Sequence, residues 1–194
     1  MNDVERVDEQ VLVMDEIIRV ADEEAVDAVV VAGDLFDTFN PPVEAIELLY
    51  RTLHGLAKGG RRPVIAIAGN HDSPDRVDSL ARESGIFFAG NPLLALRTGV
   101  TEGGVALTRS EEGFAEFCLP GYDYPLRVIH TPYANSPRLH RYLGVEDQEI
   151  ALRELLREHW AALAGKYCDA SGVNLLVAHL FMMKEGGNVP DEPD

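Results

Sequence analysis

Apolar residues recur every three or four positions at Val4, Val7, Val11, Met14, Ile18 and Ala21, with mostly Asp, Glu and Arg between them. That period predicts an amphipathic helix over residues 4–24. The pattern then changes. Residues 27–32 (DAVVVA) form a short β-branched run, which predicts a buried strand of a sheet covered on both faces. The polar loop GDLFDTFNPP follows, and Pro41 and Pro42 can lead into a helix over residues 43–56, with Ile46, Leu49, Leu53 and Leu56 on one stripe. After the turn KGGRR (residues 58–62) the order repeats. PVIAIA (63–68) predicts a second buried strand, and the loop GNHDSP leads to Ser73, placed to cap a helix beginning near Pro74. Residues 86–89 predict a third short strand.

Between residues 91 and 131, short apolar runs (LLAL, VALT, EFCL, RVIH) alternate with Gly, Thr and acidic turns, as hairpins or a meander would. A long helix is expected within residues 136–166, best marked over 146–164, with Ile150, Leu152, Leu155, Leu156, Trp160 and Leu163 on its apolar side. Trp160 is read as a core anchor. VNLLVA (173–178) predicts a further strand running into His179. The tail GGNVPDEPD is rich in Gly, Pro and acid, and no internal repeat is visible. Two strand–loop–helix units in succession predict an α/β fold. In open α/β sheets, ligands bind at the carboxyl edge of the strands.

Composition narrows this picture. The chain has 194 residues, 46% hydrophobic and 26% charged, which suits one core and a single domain over residues 1–194. No apolar run approaches the ~18–20 residues needed to cross a bilayer. The first ten residues, MNDVERVDEQ, lack the basic and apolar regions of a signal peptide. A soluble, cytoplasmic protein without membrane attachment is expected. Cys118 and Cys168 are expected to be reduced, with Cys118 a small core residue. The formal charge is −16, and residues 1–50 hold 14 acids against two arginines. That field repels nucleic acid at long range and counts against a free-standing DNA-binding protein, though not against a nuclease whose metals or partner supply positive charge. The acidic front reads as a solvated helix face. Arg127, Arg138, Arg141, Arg153 and Arg157 give the middle of the chain a basic bias, which could track a phosphate backbone or decorate a helix.

Candidate chemistry gathers at the strand ends: Asp34, Asn70, His71, Asp72 and His179. If the strands are parallel neighbours, these side chains converge on one edge. Carboxylate, amide oxygen and imidazole suit Mn, Fe, Zn or Mg. A carboxylate can bridge two ions, and two ions ~3.5–4 Å apart can hold both oxygens of a phosphoryl transfer. Gly33 and Gly69 let the backbone turn tightly before each ligand. A lone Asp after a strand is usually a cap or turn residue, and a lone His there is usually a satisfied core residue. Their repetition on consecutive units favours a metal site. His54, His130, His140 and His159 lack that context and are read as surface or packing residues.

At this point GDLFDTFNPP and AGNHDSPDR resemble the calcineurin-like metallophosphoesterases, and in their extended form the SbcD-type nuclease subunits of bacterial double-strand-break-processing complexes. LLVAHLF resembles that family's next histidine motif. The resemblance is strongest over residues 27–90. It implies a layered α/β sandwich holding two divalent metal ions, with manganese the first choice. Asp34 would bridge the metals, and Asn70 and His179 would each bind one. His71 would protonate the leaving oxygen or orient the phosphate. Asp72 would hold the His71 ring by a hydrogen bond, and Asp37 would support the loop. DNA, an SbcC-like ATPase subunit and a second copy of the chain are the implied partners, with the helices over 43–56 and after Pro74 at the dimer interface.

The family's opening D-x-H strand and closing G-H-x-H have no counterpart among these residues. The fold and site are therefore expected to be incomplete, with four of seven ligand positions missing and weak metal binding. Besides the DNA nuclease, two other readings stand: a phosphoesterase for small or lipid-linked phosphodiesters, and a metal-deficient, non-catalytic fragment.

Overall fold

The computed structural model describes residues 7–74, 85–139 and 148–181. The helix expected after Pro74, His140, Arg141 and the acidic tail lie outside them. In chain order the elements are α1 (Val7–Glu23), β1 (Val29–Ala32), α2 (Val43–Ala57), β2 (Val64–Ile67), β3 (Ile86–Ala89), β4 (Gly99–Val100), β5 (Ala106–Glu111), β6 (Phe114–Cys118), β7 (Leu126–Thr131), α3 (Ser136–Leu139), α4 (Gln148–Tyr167) and β8 (Val173–Ala178). The first three strands form a parallel sheet in the order β1-β2-β3. The other five form a second sheet in the order β4-β5-β6-β7-β8, antiparallel except for the parallel pair β7–β8.

The layering follows from the period of two along each strand. In β2, Val64 and Ala66 face α1 and α2, packing with Ala21, Leu53 and Leu56. The alternate residues Ile65 and Ile67 face the second sheet, where they meet Leu107, Phe117 and Val128. Both isoleucines are almost wholly buried, each contributing ~1.5–3 kcal/mol of apolar burial. On the far side of the second sheet, Phe114 and Ile129 pack against Leu163 of α4, with Trp160 beside them. The molecule is thus helices, sheet, sheet, helix: the expected layered α/β sandwich. The indole N–H of Trp160 also donates to Thr131 Oγ1 at 2.8 Å, so the anchor is polar as well as apolar.

Several expectations change. The stripe Val11, Met14, Ile18 and Ala21 of α1 does turn inward, but Leu12, Val13 and Ile17 form a second, exposed apolar face. β1 is an edge strand with Val30 exposed, not one covered on both faces; β8 is likewise an edge strand, with Leu176 exposed. Cys118 ends an outer stretch of β6 and is exposed, not a core residue. His130 on β7 is fully buried, and neither ring nitrogen has a hydrogen-bond partner. Burial, aided by the nearby His159, pushes its pKa down to about 4. No helix among the described residues is long and apolar enough to cross a membrane.

Candidate metal centre

The site is built where three strands stop. β1 ends at Ala32, and the chain turns out through Gly33 (φ 98°) and Asp34 (φ 50°), two successive left-handed residues. Glycine adopts this freely and Asp tolerates it, so the turn is local strain held by its surroundings. Gly33 also has a steric duty, since a Cβ there would lie 2.2 Å from His179 Nδ1. Gly69 is needed for close approach rather than for its turn: a Cβ would come within 2.0 Å of Asp34 Oδ1 and 2.3 Å of Asp34 N. The two loops are pressed together, and only glycine leaves the room.

His179 arrives from the other sheet. The expected convergence of parallel neighbours holds for β1 and β2, which carry Asp34 and Asn70, while His179 joins them from β8 of the other sheet. Its backbone N–H donates to Thr131 O at 3.1 Å, which fixes it beside the end of β7. Its ring Nδ1 lies 2.9 Å from Ala32 O, and its Nε2 lies 2.9 Å from Asn70 Oδ1 and 3.5 Å from Asp34 Oδ1. All three neighbours are acceptors. A neutral imidazole has one N–H, and Nδ1–H donated to Ala32 O leaves the Nε2 lone pair facing two oxygens. With that tautomer, three electron-pair donors turned toward one another make a place that suits a cation. One carboxylate, one amide oxygen and one imidazole fit a divalent ion such as Mn²⁺, Mg²⁺, Fe²⁺ or Zn²⁺. No trio of His, Cys, Asp or Glu placed to hold a metal occurs among the described residues, because here the third donor is an amide. The Asp34 side chain is 43% exposed and that of His179 23%, so the point of convergence is open to solvent.

Asp72 makes backbone contacts that its sequence position did not announce. It is fully buried and accepts three backbone N–H bonds: from Leu35 and Gly69 at Oδ2 (3.0 and 2.7 Å) and from Phe36 at Oδ1 (3.0 Å). Its oxygens are directed at the loop backbones and not at the His71 ring. It ties the Asp34 loop to the Asn70 loop. His71 itself is exposed, and its backbone N–H lies 3.4 Å from Asp34 Oδ1. Asp37 is exposed on the outer part of its loop.

Among the described residues the basic track does not form. Arg127 is buried, bonded to Glu116, Asp169 and Ser171. Arg153 and Arg157 are exposed on α4 with Glu154 and Glu158 interleaved. Arg138 is turned onto the Asn70 loop. Its Nη1 donates to Gly69 O at 2.8 Å, and its Nη2 donates to Asp72 O at 2.8 Å and Asn70 O at 3.3 Å. Sequence spacing gave no hint of this contact. The available signal was position: Arg138 lies seven residues past the β7 end, at the same edge as the candidate ligands.

The sequence model of the calcineurin-like phosphoesterase family matches residues 4–179, nearly the whole described chain. A curated relative, the SbcD component of the SbcCD nuclease of Bacillus subtilis (strain 168), is 47% identical over 90 residues. That alignment takes in 45% of this chain and 23% of the relative, so the chain matches about a quarter of that protein's length.

Proposed function

The chain belongs to the calcineurin-like phosphoesterases, and from that membership we propose that it hydrolyses the phosphodiester bonds of DNA with divalent cations held by Asp34, Asn70 and His179. Manganese is the first candidate ion. The setting we propose is cytoplasmic: a homodimeric nuclease subunit acting beside an SbcC-like ATPase in double-strand-break processing. The likeness to a nuclease subunit supports this setting. The single observation that carries the reading is the meeting of three acceptors, Asp34 Oδ1, Asn70 Oδ1 and His179 Nε2, at 2.9–3.5 Å.

Bound divalent ions would supply Lewis acidity to the phosphoryl oxygens and ease deprotonation of an attacking water. The protein's own groups do the rest. Asp34 has two carboxylate oxygens on an exposed side chain and can face two ions. Ala32 O fixes the His179 tautomer, so Nε2 keeps its lone pair toward the site. His71, exposed and one residue from Asn70, is placed to give a proton to the leaving oxygen. The net charge of −16 makes DNA approach depend on bound cations or on a basic partner.

Digestion of linear duplex DNA with Mn²⁺ tests the substrate, with a small aryl phosphodiester run alongside. Cleavage of DNA supports the reading; turnover of the small diester with intact DNA would move the substrate to small phosphodiesters. His71→Ala should lower turnover by ~10²–10⁴-fold while leaving Mn²⁺ affinity unchanged. Loss of Mn²⁺ binding in that variant would make His71 a ligand instead of a proton donor.

A further inference from the structure

The Asn70 loop has an unusual arrangement of its peptide groups. On one side its N–H groups meet carboxylates: Gly69 N–H donates to Asp72, and His71 N–H approaches Asp34. On the other side the carbonyls of Gly69, Asn70 and Asp72 all turn onto one guanidinium, that of Arg138. Three carbonyl oxygens this close repel one another unless a cation sits among them. A guanidinium is suited to that place because its planar fork carries several fixed donors, and three of its N–H groups are used on the loop.

Arg138 is itself held. The Asn135 side-chain oxygen accepts the Arg138 backbone N–H at 2.9 Å, starting α3. The guanidinium carbon lies 5.1 Å from the Tyr133 ring centre, and the Tyr133 N–H donates to Ala68 O at 2.9 Å. Tyr133 also packs edge-on to His179, with ring centres 6.5 Å apart. The segment from Thr131 to Arg138 thus touches the end of β2 and the end of β8 together. Partial burial lowers the Arg138 pKa, but an arginine stays charged throughout the physiological range.

We infer that Arg138 is a positioning residue: it folds the Gly69–Asp72 loop around its guanidinium and so aims Asn70 Oδ1 at His179 Nε2. This rests on the metal-site reading for its consequence but not for its geometry. An arginine that gripped substrate phosphate would turn its fork outward, whereas three of the five N–H groups of Arg138 face the loop.

The test is NMR on the isotopically labelled 194-residue chain, without metal, comparing wild type with Arg138→Met and Arg138→Lys. In Arg138→Met, the Asn70 side-chain amide and His179 ring resonances should move. The Gly69 and His71 amides should exchange at least tenfold faster, while signals from Val64 to Ile67 stay in place. Arg138→Lys keeps the charge but loses the fork, and should fall between the two; it also carries the test if Arg138→Met does not fold. Unchanged Asn70 and His179 resonances would overturn the inference. A parallel Mn²⁺ titration separates the two ideas. A wild-type chain that binds no Mn²⁺ contradicts the metal site, while the metal-free spectra still decide the role of Arg138.

Discussion

The two ends of the parallel sheet are both polar, yet they are polar in opposite ways. At the amino end donors meet acceptors. Arg62, almost fully buried, donates to Leu56 O and Ala21 O, the closing carbonyls of α2 and α1, and to the Asp22 carboxylate at 2.9 Å. Lys58 joins the same carboxylate at 3.3 Å, and with Arg62 holds its pKa below the usual range. Tyr122 O–H donates to Asp27 at 2.6 Å, which raises the tyrosine's pKa. At the carboxyl end acceptors meet acceptors, and the backbone is left-handed at two residues running. Complementary charges complete a structure. Convergent ones leave a place for something else, and the strain there is held by Asp72 and Arg138.

Substitutions at each end should break this contrast in distinguishable ways. The largest effect is expected at Gly69→Ala. A methyl group 2.3 Å from the Asp34 backbone cannot be relieved by a rotamer change, so the two loops must part, at a cost of ~3–4 kcal/mol. Mn²⁺ binding should go with it. Chemical denaturation checks the first and calorimetry the second.

Arg62→Met should cost ~2–3 kcal/mol, since it takes the guanidinium from the buried Leu56 carbonyl and removes one of the two donors to Ala21 O, which keeps the Val26 N–H. It should leave the site intact, as shown by an unchanged Mn²⁺ affinity. A fall in affinity would mean that the two ends are coupled.

His130 sharpens the contrast from a third place, since neither of its ring nitrogens has a hydrogen-bond partner. Its folded pKa of about 4 lies below the ordinary value of 6.5. The folded state therefore favours the neutral ring. Its stability is complete above pH 6.5, falls as the pH drops from 6.5 to about 4, and changes no further from this group below that. The loss is ~3 kcal/mol over that window. His130→Leu should flatten the slope between pH 6.5 and 5 in denaturant titrations. An identical slope in wild type and variant would contradict this.

Asp72→Asn is the smallest, at ~2 kcal/mol. The amide keeps one acceptor oxygen and turns an NH₂ toward a backbone N–H. Thermal melts read this directly. An unchanged melting temperature would return Asp72 to the role of orienting His71.

Much of this was legible in the sequence. GDLFD and GNHD each follow an apolar run, so period alone placed Asp34 and Asn70 at strand ends and gave an α/β fold; the layered sandwich came from the family resemblance. What spacing cannot carry is which ends abut. His179 reaches the site from another sheet through a pairing of β7 with β8 that spans over 40 residues of chain. Burial of polar groups was equally hidden. Asp72 reads as a catalytic neighbour because it is next to His71, but the backbone directs it to Leu35, Phe36 and Gly69. Arg127 and Arg138 look like surface charge in a linear count, yet both are consumed by partners distant in sequence. Cys118 sits in an apolar run but at a strand terminus, where alternation no longer guarantees cover.

The central claim is that the convergent acceptors, and not the acidic surface, hold the metal. Paramagnetic broadening by substoichiometric Mn²⁺ tests it most directly, because a chain with a charge of −16 will attract cations everywhere. The account predicts that the earliest losses are the resonances of Gly33, Asp34, Asn70 and His179, and that His179→Ala abolishes that pattern. Broadening that begins along α1, or spreads evenly over the acidic residues, would contradict it.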